Sequence, residues 1–179
     1  IKKMSIRDVL RMASGKPKPY RSNKANWREH FFRTPFNVEP GTKYQYGCED
    51  THILMAVVMK ASGLGLHDYL KPRLFDKIGI RSANLKWIYL PDGSEVGCGG
   101  LYATTEDSAR LMQLYLQDGV WDGERILAAD YVAQATTRQI ENKRNGRGFG
   151  YHIFMGPRER SFLGMGALGQ AAIAVPDLD

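Results

Sequence analysis

Cys48 and His52 are the two residues whose types and spacing come nearest to a self-contained reaction centre. Because they stand four positions apart, they share one face of a helix, where an imidazole can activate a thiol as a nucleophile. No third residue that would orient the imidazole is evident, so the thiol enzyme is the weaker hypothesis. A small buried filler is the competing interpretation of Cys48.

The segment around this pair has an informative order of residues. A turn at Pro40-Gly41 precedes Tyr44 and Tyr46, and an apolar run follows from Thr51 to Ser62. The run is apolar on nearly all sides, which predicts a buried helix that ends at Gly63, with Tyr46 near its entrance. The side chains that we expect to be almost fully buried are Ile53, Leu54, Ala56, Val57 and Val58.

The motifs of other reaction classes are missing from the sequence. It has no G-x-S-x-G elbow, no H-E-x-x-H and no G-x-G-x-x-G after a strand. The glycine-rich stretch Gly97 to Gly100 lacks the lysine and hydroxyl of a phosphate-binding loop, so we interpret it as a close backbone approach. Its two cysteines form no disulfide framework and have no metal-ligand spacing. We therefore expect no metal and no cofactor.

The composition and charge of the chain indicate which kinds of partner it could bind. The chain has 179 residues, 43% of them hydrophobic, and 25 basic against 19 acidic residues give a net charge of +6. These values are typical of a globular protein. The basic residues are scattered, which argues against nucleic acid as a partner. No apolar run reaches the roughly 18–20 residues of a membrane span, and a periplasmic, extracellular or cytoplasmic location stays open.

Local patterns predict an α+β fold. Four more helices are expected at Met4–Ala13 with Ser5 as cap, Leu66–Lys77 bent or divided at Pro72, from a Thr104 to Asp107 capping box to Gly119, and Ala128–Gln139. Strands are expected at Gly148–Phe154 and Gln170–Val175, and a loop from Pro17 to Pro40. Residues 1–140 then form a mainly helical region, and residues 141–179 form the strands of an α/β region.

Five stretches, in order, resemble the serine β-lactamase and penicillin-binding-protein superfamily in its class-C-like serine hydrolase branch. Ser5 to Gly15 is similar to T-I-R-x-L-L-x-M-T-S-G, and Pro40 to Cys48 is similar to a Pro-Gly turn before a Tyr-x-Asn motif. The others are Leu74 to Ile80 (I-F-x-P-L-G-M), Gly99 to Asp107 (G-G-L-x-S-T-A-x-D), and Gly166 to Gln170 with Val175-Pro176 (G-x-x-G-Q…V-P). The resemblance covers nearly the whole chain.

The resemblance implies acyl transfer to water from an amide, ester or β-lactam, on a small-molecule or peptide substrate. The family uses Ser-x-x-Lys, Tyr-x-Asn and Lys/His-x-Gly motifs, in which the serine forms an acyl-enzyme while Lys and Tyr move its proton. None of the eight serines here has a lysine three residues later, and Ser14-Gly15-Lys16 misses by one position. We expect the nucleophile to precede Ile1, so that this chain is a fragment of a larger catalytic domain.

Four positions inherit roles from the resemblance. Tyr46 occupies the position of the catalytic base, and Cys48 stands where the family has a substrate-binding Asn. Gly164-Met165-Gly166 keeps only the glycine of the third motif, so Gly166 falls in the substrate site. The backbone N–H of Ala167 occupies the position of an oxyanion donor, and a backbone donor survives side-chain replacement. We expect Tyr46 and Ala167 to line one cleft.

Three functions remain open at this point. The first is a serine hydrolase whose isolated 179-residue part is inactive because the nucleophile lies outside it. The second is a catalytically inactive family member that acts as a binding protein, which Cys48 and Met165 at motif positions favour. The third is the Cys48/His52 thiol enzyme. The substrate and the oligomeric state stay open, because fold does not fix function.

Overall fold

A computed structural model describes residues 3–17, 26–81, 83, 85–143 and 146–178. Its helices are α1 (Ile6–Leu10), α2 (Trp27–Arg33), α3 (Cys48–Ser62), α4 (Leu66–Leu70), α5 (Thr105–Leu116) and α6 (Ala129–Ala135). Its strands are β1 (Lys86–Trp87), β2 (Leu101–Tyr102), β3 (Val120–Trp121), β4 (Glu124–Arg125), β5 (Phe154–Met155), β6 (Phe162–Met165) and β7 (Ala171–Ala174).

All strand pairs are antiparallel. β1 pairs with β2 and β3 with β4, while β5, β6 and β7 form a three-stranded sheet in that order. In the register of β6 with β7, Phe162 lies opposite Ala174 and Met165 opposite Ala171. The mixture of helices with small antiparallel sheets confirms the predicted α+β class.

Two predicted capping boxes are present. The Ser5 hydroxyl accepts from the Asp8 N–H at the start of α1, and the Asp8 carboxylate accepts from the Ser5 N–H in return. Thr104 and Asp107 make the same reciprocal pair at the start of α5. Each box satisfies N–H groups that the first turn leaves without an intrahelical partner.

The chain divides into two compact units, residues 1–70 with 86–102, and residues 71–85 with 103–179. In the first unit, α1 and α3 pack around a core of Val9, Trp27, Phe31, Ile53 and Met55. In the second, α5 packs on β7 above buried residues that include Leu114, Phe149 and Phe162. The predicted division of the secondary structure at residue 140 stays a prediction; the compact units divide the chain elsewhere.

Helix α3 corrects the burial prediction. Ile53 is buried as expected, but Leu54, Ala56 and Val58 are half-buried and Val57 is 39% exposed. The inward positions of the first turns carry Glu49, Asp50 and His52, all of them buried. Hydropathy alone cannot indicate this arrangement, because buried polar groups depend on partners that the fold supplies.

One further expectation about helices is wrong, and another is confirmed. The loop predicted from Pro17 to Pro40 contains α2, while residues 18–25 of that range lie outside the described residues. The helix predicted over Leu66–Lys77 is divided, since α4 ends at Leu70 and Lys71–Phe75 forms a π-helical turn around Pro72. The prediction of a break at Pro72 is confirmed, because proline cannot donate the backbone hydrogen bond of a continuing helix.

The structure describes no single helix that is long and apolar enough to cross a membrane. Taken together across their bend, Cys48–Ser62 and Leu66–Phe75 reach the required length and composition.

Gly150 is a position where a single methyl group should destabilise the second unit. A Cβ there would lie 1.9 Å from the carbonyl oxygen of Ala135 and 3.0 Å from that of Thr137. We expect Gly150→Ala to lower the free energy of unfolding by about 3 kcal/mol, since backbone atoms must move to admit it. Urea titration measures this loss, and Gly164→Ala, whose Cβ meets only Met112 Cε at 3.8 Å, is the matched control. Equal stability of the two variants would contradict the prediction.

Candidate active site

Tyr46 lies on the surface of the first unit, immediately before α3. The residue is 44% exposed. The preceding residue is fixed by the backbone, because the Gln45 N–H donates to the Met12 carbonyl at 2.8 Å. The Gly41 N–H likewise donates to the Ala13 carbonyl at 2.8 Å. The segment that presents the Tyr46 phenol therefore runs beside the segment that follows α1.

The first turn of α3 is held to the same segment by a buried hydrogen bond. The Ser14 hydroxyl donates to Asp50 Oδ1 at 2.7 Å, and both residues are almost fully buried. A hydrogen bond to a charged carboxylate is stronger than one between neutral groups, and it strengthens further away from water. Ser14 and Asp50 therefore fix the start of α3 against the chain between α1 and α2.

Ser14 and Lys16 do not form a nucleophile and base pair. The Lys16 ammonium donates to the carbonyl oxygen of Thr34 and lies 4.1 Å from the centre of the Phe36 ring. Burial lowers the pKa of Lys16. The lysine thus binds the carbonyl end of α2 while the Ser14 hydroxyl faces Asp50, and neither group is directed at the other.

Cys48 is bonded to Cys98. The two residues form a disulfide with their Cα atoms 5.0 Å apart, across 50 positions of sequence. The interpretation of Cys48 as a small buried filler is wrong, since the residue is half-buried and covalently paired. The thiol-enzyme hypothesis fails with it, because the nucleophile of such an enzyme is a free thiolate. The even number of cysteines was the one feature of the sequence that could have indicated this disulfide. No spacing rule pairs cysteines so far apart.

The glycine-rich stretch that contains Cys98 is a close backbone approach, as predicted. A Cβ on Gly97 would lie 3.0 Å from the Thr51 carbonyl oxygen and 3.2 Å from His52 Cα. Gly100 has a positive φ of 69°, and its Cβ would lie 3.0 Å from Ile88 Cβ. Side chains at either position would push this stretch away from α3 or from the residues after β1.

His52 is buried beneath the entrance to α3. Its ring centre lies 5.6 Å from that of Trp27, whose indole N–H donates to Asp92 at 3.0 Å. Desolvation lowers the pKa of His52, while the Cys48 carbonyl and the Asp92 charge act in the opposite direction. The imidazole is therefore neutral at pH 7, and protonating it in the folded state costs free energy.

The pKa of His52 predicts a loss of stability in acid. Below pH 6.5 the unfolded chain binds a proton at this residue that the folded chain resists, so the free energy of unfolding falls as pH falls. Replacing His52 with Gln should remove up to about 1.4 kcal/mol per pH unit of this dependence. Urea unfolding at pH 7.5 and 5.5 measures it. The exposed His30→Gln should keep the wild-type dependence, and an unchanged dependence in His52→Gln would overturn the assignment.

Gly166 and Ala167 lie in the turn between β6 and β7. The Gly166 N–H donates to the Gln170 carbonyl at 2.9 Å, and the Leu168 N–H donates to the Gln170 side chain at 3.1 Å. A Cβ on Gly166 would lie 2.1 Å from Gln170 Cδ, which explains the glycine. Within the described part of the chain, no group accepts a hydrogen bond from the exposed Ala167 N–H.

The four predicted site residues thus occur as two pairs. Tyr46 and Cys48 belong to one segment of the first unit, and Gly166 and Ala167 belong to one turn of the second. Both Tyr46 and Ala167 present their groups at the surface. That these two residues line one cleft stays a prediction.

Other possible sites use different residues. A cavity of about 720 Å³ in the second unit contains none of the four predicted residues; it is lined by Asp76, Gly79, Ile80, Arg81, Thr104, Glu106, Asp107 and Arg110. The Arg110 guanidinium is already engaged by Glu106 at 2.6 Å and by the Ile78 carbonyl at 3.1 Å. Among the described ranges, no group of three or more His, Cys, Asp or Glu residues could hold a metal ion.

Comparison with known proteins identifies the family of this chain. The Beta-lactamase family model matches residues 1–179. A Salmonella schwarzengrund protein with the provisional name D-alanyl-D-alanine carboxypeptidase is 22% identical over 82% of this chain and 46% of its own length. This chain therefore spans about half the length of the curated relatives it matches.

Solved structures show the same fold. A provisionally named β-lactamase from Bacteroides dorei superposes with a TM-score of 0.79 at 17% identity, over 97% of this chain and 60% of that one. A provisionally named 6-aminohexanoate-dimer hydrolase from Bacillus anthracis gives 0.77 at 16% identity, over 97% and 53%. The fold is that of the β-lactamase and penicillin-binding-protein-like hydrolases. The chain belongs to the Beta-lactamase family.

Proposed function

We propose that this protein is a serine hydrolase of the class-C-like branch, which cleaves an amide, ester or β-lactam through an acyl-enzyme. Tyr46 moves the proton of a serine nucleophile that lies in a segment preceding Ile1. The Ala167 N–H is one of the two oxyanion donors. Gly166 and Cys48 border the substrate, which is a small molecule or a peptide.

The placement of Tyr46 carries this proposal. Tyr46 is 44% exposed, and it follows Gln45, whose N–H holds the segment in place by a backbone hydrogen bond. A general base needs an accessible group whose orientation the scaffold holds. The accessible Ala167 N–H supports the same mechanism, since a donor already bonded within the protein could not receive an oxyanion.

One observation favours a catalytically inactive binding protein as the second candidate. The family's Asn donates and accepts hydrogen bonds, whereas the sulfur of Cys48 is covalently bonded to Cys98. A member that has lost this amide has lost one contact to substrate.

Covalent labelling of the full-length protein distinguishes the two candidates. We expect a fluorescent penicillin or a fluorophosphonate to label one serine that has a lysine three residues later and precedes Ile1. The same protein should hydrolyse a short-chain p-nitrophenyl ester. The isolated 179-residue chain is the control and should do neither. If the full-length protein shows no label and no turnover of ester, cephalosporin or D-alanyl-D-alanine peptide, the binding protein is the correct candidate.

A further inference from the structure

The segment that bears Tyr46 is anchored immediately on both sides. On the N-terminal side, the Gln45 N–H is bonded to the Met12 carbonyl. On the C-terminal side, Cys48 is covalently bonded to Cys98. Only Tyr46 and Gly47 lie between these two attachments. The backbone that carries the phenol is therefore held by both of them.

The start of α3 lacks the side-chain cap that usually fixes a helix entrance. Its N-cap residue is Gly47, which has no side chain to accept from the first-turn N–H groups. Asp50 lies three positions later, and its carboxylate accepts from the Ser14 hydroxyl. Cys48 is the first residue of the helix. Its disulfide therefore constrains the helix start, which has no side-chain cap.

Cys98 is a firm point of attachment because backbone hydrogen bonds hold the chain on both sides of it. The Val96 N–H donates to the Ile88 carbonyl at 2.8 Å, and the Ile88 N–H donates to the Gly100 carbonyl at 2.9 Å. The Trp87 indole N–H adds a bond to the Val96 carbonyl at 2.9 Å. Gly97 lies directly against the α3 backbone at Thr51.

We infer that Cys48 and Cys98 are positioning residues for the reaction, and that their disulfide holds the Tyr46 phenol in its productive orientation. This inference rests on the proposed function, in which Tyr46 moves the proton of the nucleophile. Opening the disulfide removes the attachment two residues after Tyr46. Ser14 and Asp50 still hold the first turn of α3, while Gly47, whose backbone has the widest range of angles, gains freedom next to Tyr46. A displacement of about 1 Å at a reacting group can cost about 100-fold in rate.

Reversible reduction of the full-length protein tests this role. Each disulfide consumes one phosphine and one water, which gives two thiols and one phosphine oxide. Both cysteines are half-buried. With a p-nitrophenyl ester as substrate, we expect reduction to lower kcat by about 10- to 100-fold and to change KM little. Reoxidation with glutathione disulfide should restore kcat.

The control is a double variant, Cys48→Ser with Cys98→Ser, which should have the reduced kcat before treatment and should not respond to phosphine. A kcat that reduction leaves unchanged overturns the positioning role while the proposed function stands. A phosphine effect of equal size in the double variant overturns it as well, because the effect would then come from elsewhere.

Hydrogen exchange separates this inference from the proposed function. Amides of residues 44–50 should exchange faster after reduction, while the Gly166 to Gln170 turn should not change. If the oxidised protein neither turns over substrate nor acquires the fluorescent label, the proposed function is wrong. The disulfide then has no role in catalysis either. Unchanged exchange at 44–50 overturns the positioning itself, whatever the activity.

Discussion

Replacing Tyr46 with phenylalanine in the full-length protein should lower kcat for ester hydrolysis by about 10²- to 10⁴-fold, the usual contribution of a positioned acid or base. The substitution keeps the ring and removes only the hydroxyl that would move the proton. Since the phenol acts on the nucleophile and not on bound substrate, KM should change little. Steady-state kinetics over a range of ester concentrations measure both quantities.

Tyr44 provides the matched control for this experiment. It lies in the same segment, two positions earlier, and it has no role in the proposed reaction. Tyr44→Phe should therefore keep kcat close to that of the wild type. If Tyr46→Phe retains full kcat while unfolding at the wild-type temperature, Tyr46 is a structural residue at a helix entrance. The proposed base then has to be found elsewhere.

The features that the sequence predicted well are those determined by neighbouring residues. Ser5 with Asp8 and Thr104 with Asp107 form their capping boxes within one helical turn. Gly63 ends α3 in the left-handed conformation, with φ of 73°, which favours a residue without a Cβ. None of these interactions depends on distant parts of the chain, so local spacing is sufficient to predict them.

Helix α2 shows where local spacing fails. Its N-cap residue, Asn26, makes no side-chain capping bond, and the helix has only seven residues. Short helices gain most of their stability from tertiary contacts. Here Trp27 and Phe31 are buried in the core, and Lys16, eleven positions before Trp27, binds the carbonyl end. The core that buries these two side chains and the lysine at the helix end both lie outside the segment. The sequence of the segment alone therefore predicted a loop.

The candidate site divides in the same way. Tyr46, Gly166 and Ala167 could be selected from the sequence because a motif resemblance covers them. The bond between Cys48 and Cys98 could not, because it joins residues 50 positions apart. The burial of Asp50 could not be predicted from the sequence either, since its partner Ser14 lies in another segment. Interactions that close long loops require the fold before they can be recognised.

The loop that this disulfide closes makes its removal costly. For a sequence separation of 50, the chain-entropy model gives about 4 kcal/mol of stabilisation at 25 °C, because the bond restricts the unfolded chain. Cys48→Ser together with Cys98→Ser should therefore lower the free energy of unfolding of the full-length protein by about this amount. Guanidinium titration without reductant, followed by fluorescence, measures the difference.

Two comparisons isolate the covalent bond from the loss of sulfur atoms. Wild-type protein titrated in dithiothreitol should unfold at nearly the guanidinium concentration of the double variant, since both then lack the bond. The double variant itself should not respond to dithiothreitol. The slope of the transition should fall in the wild type relative to the variant, because a cross-linked unfolded chain exposes less surface. Equal midpoints for oxidised wild type and double variant would show that the bond does not restrict the unfolded chain.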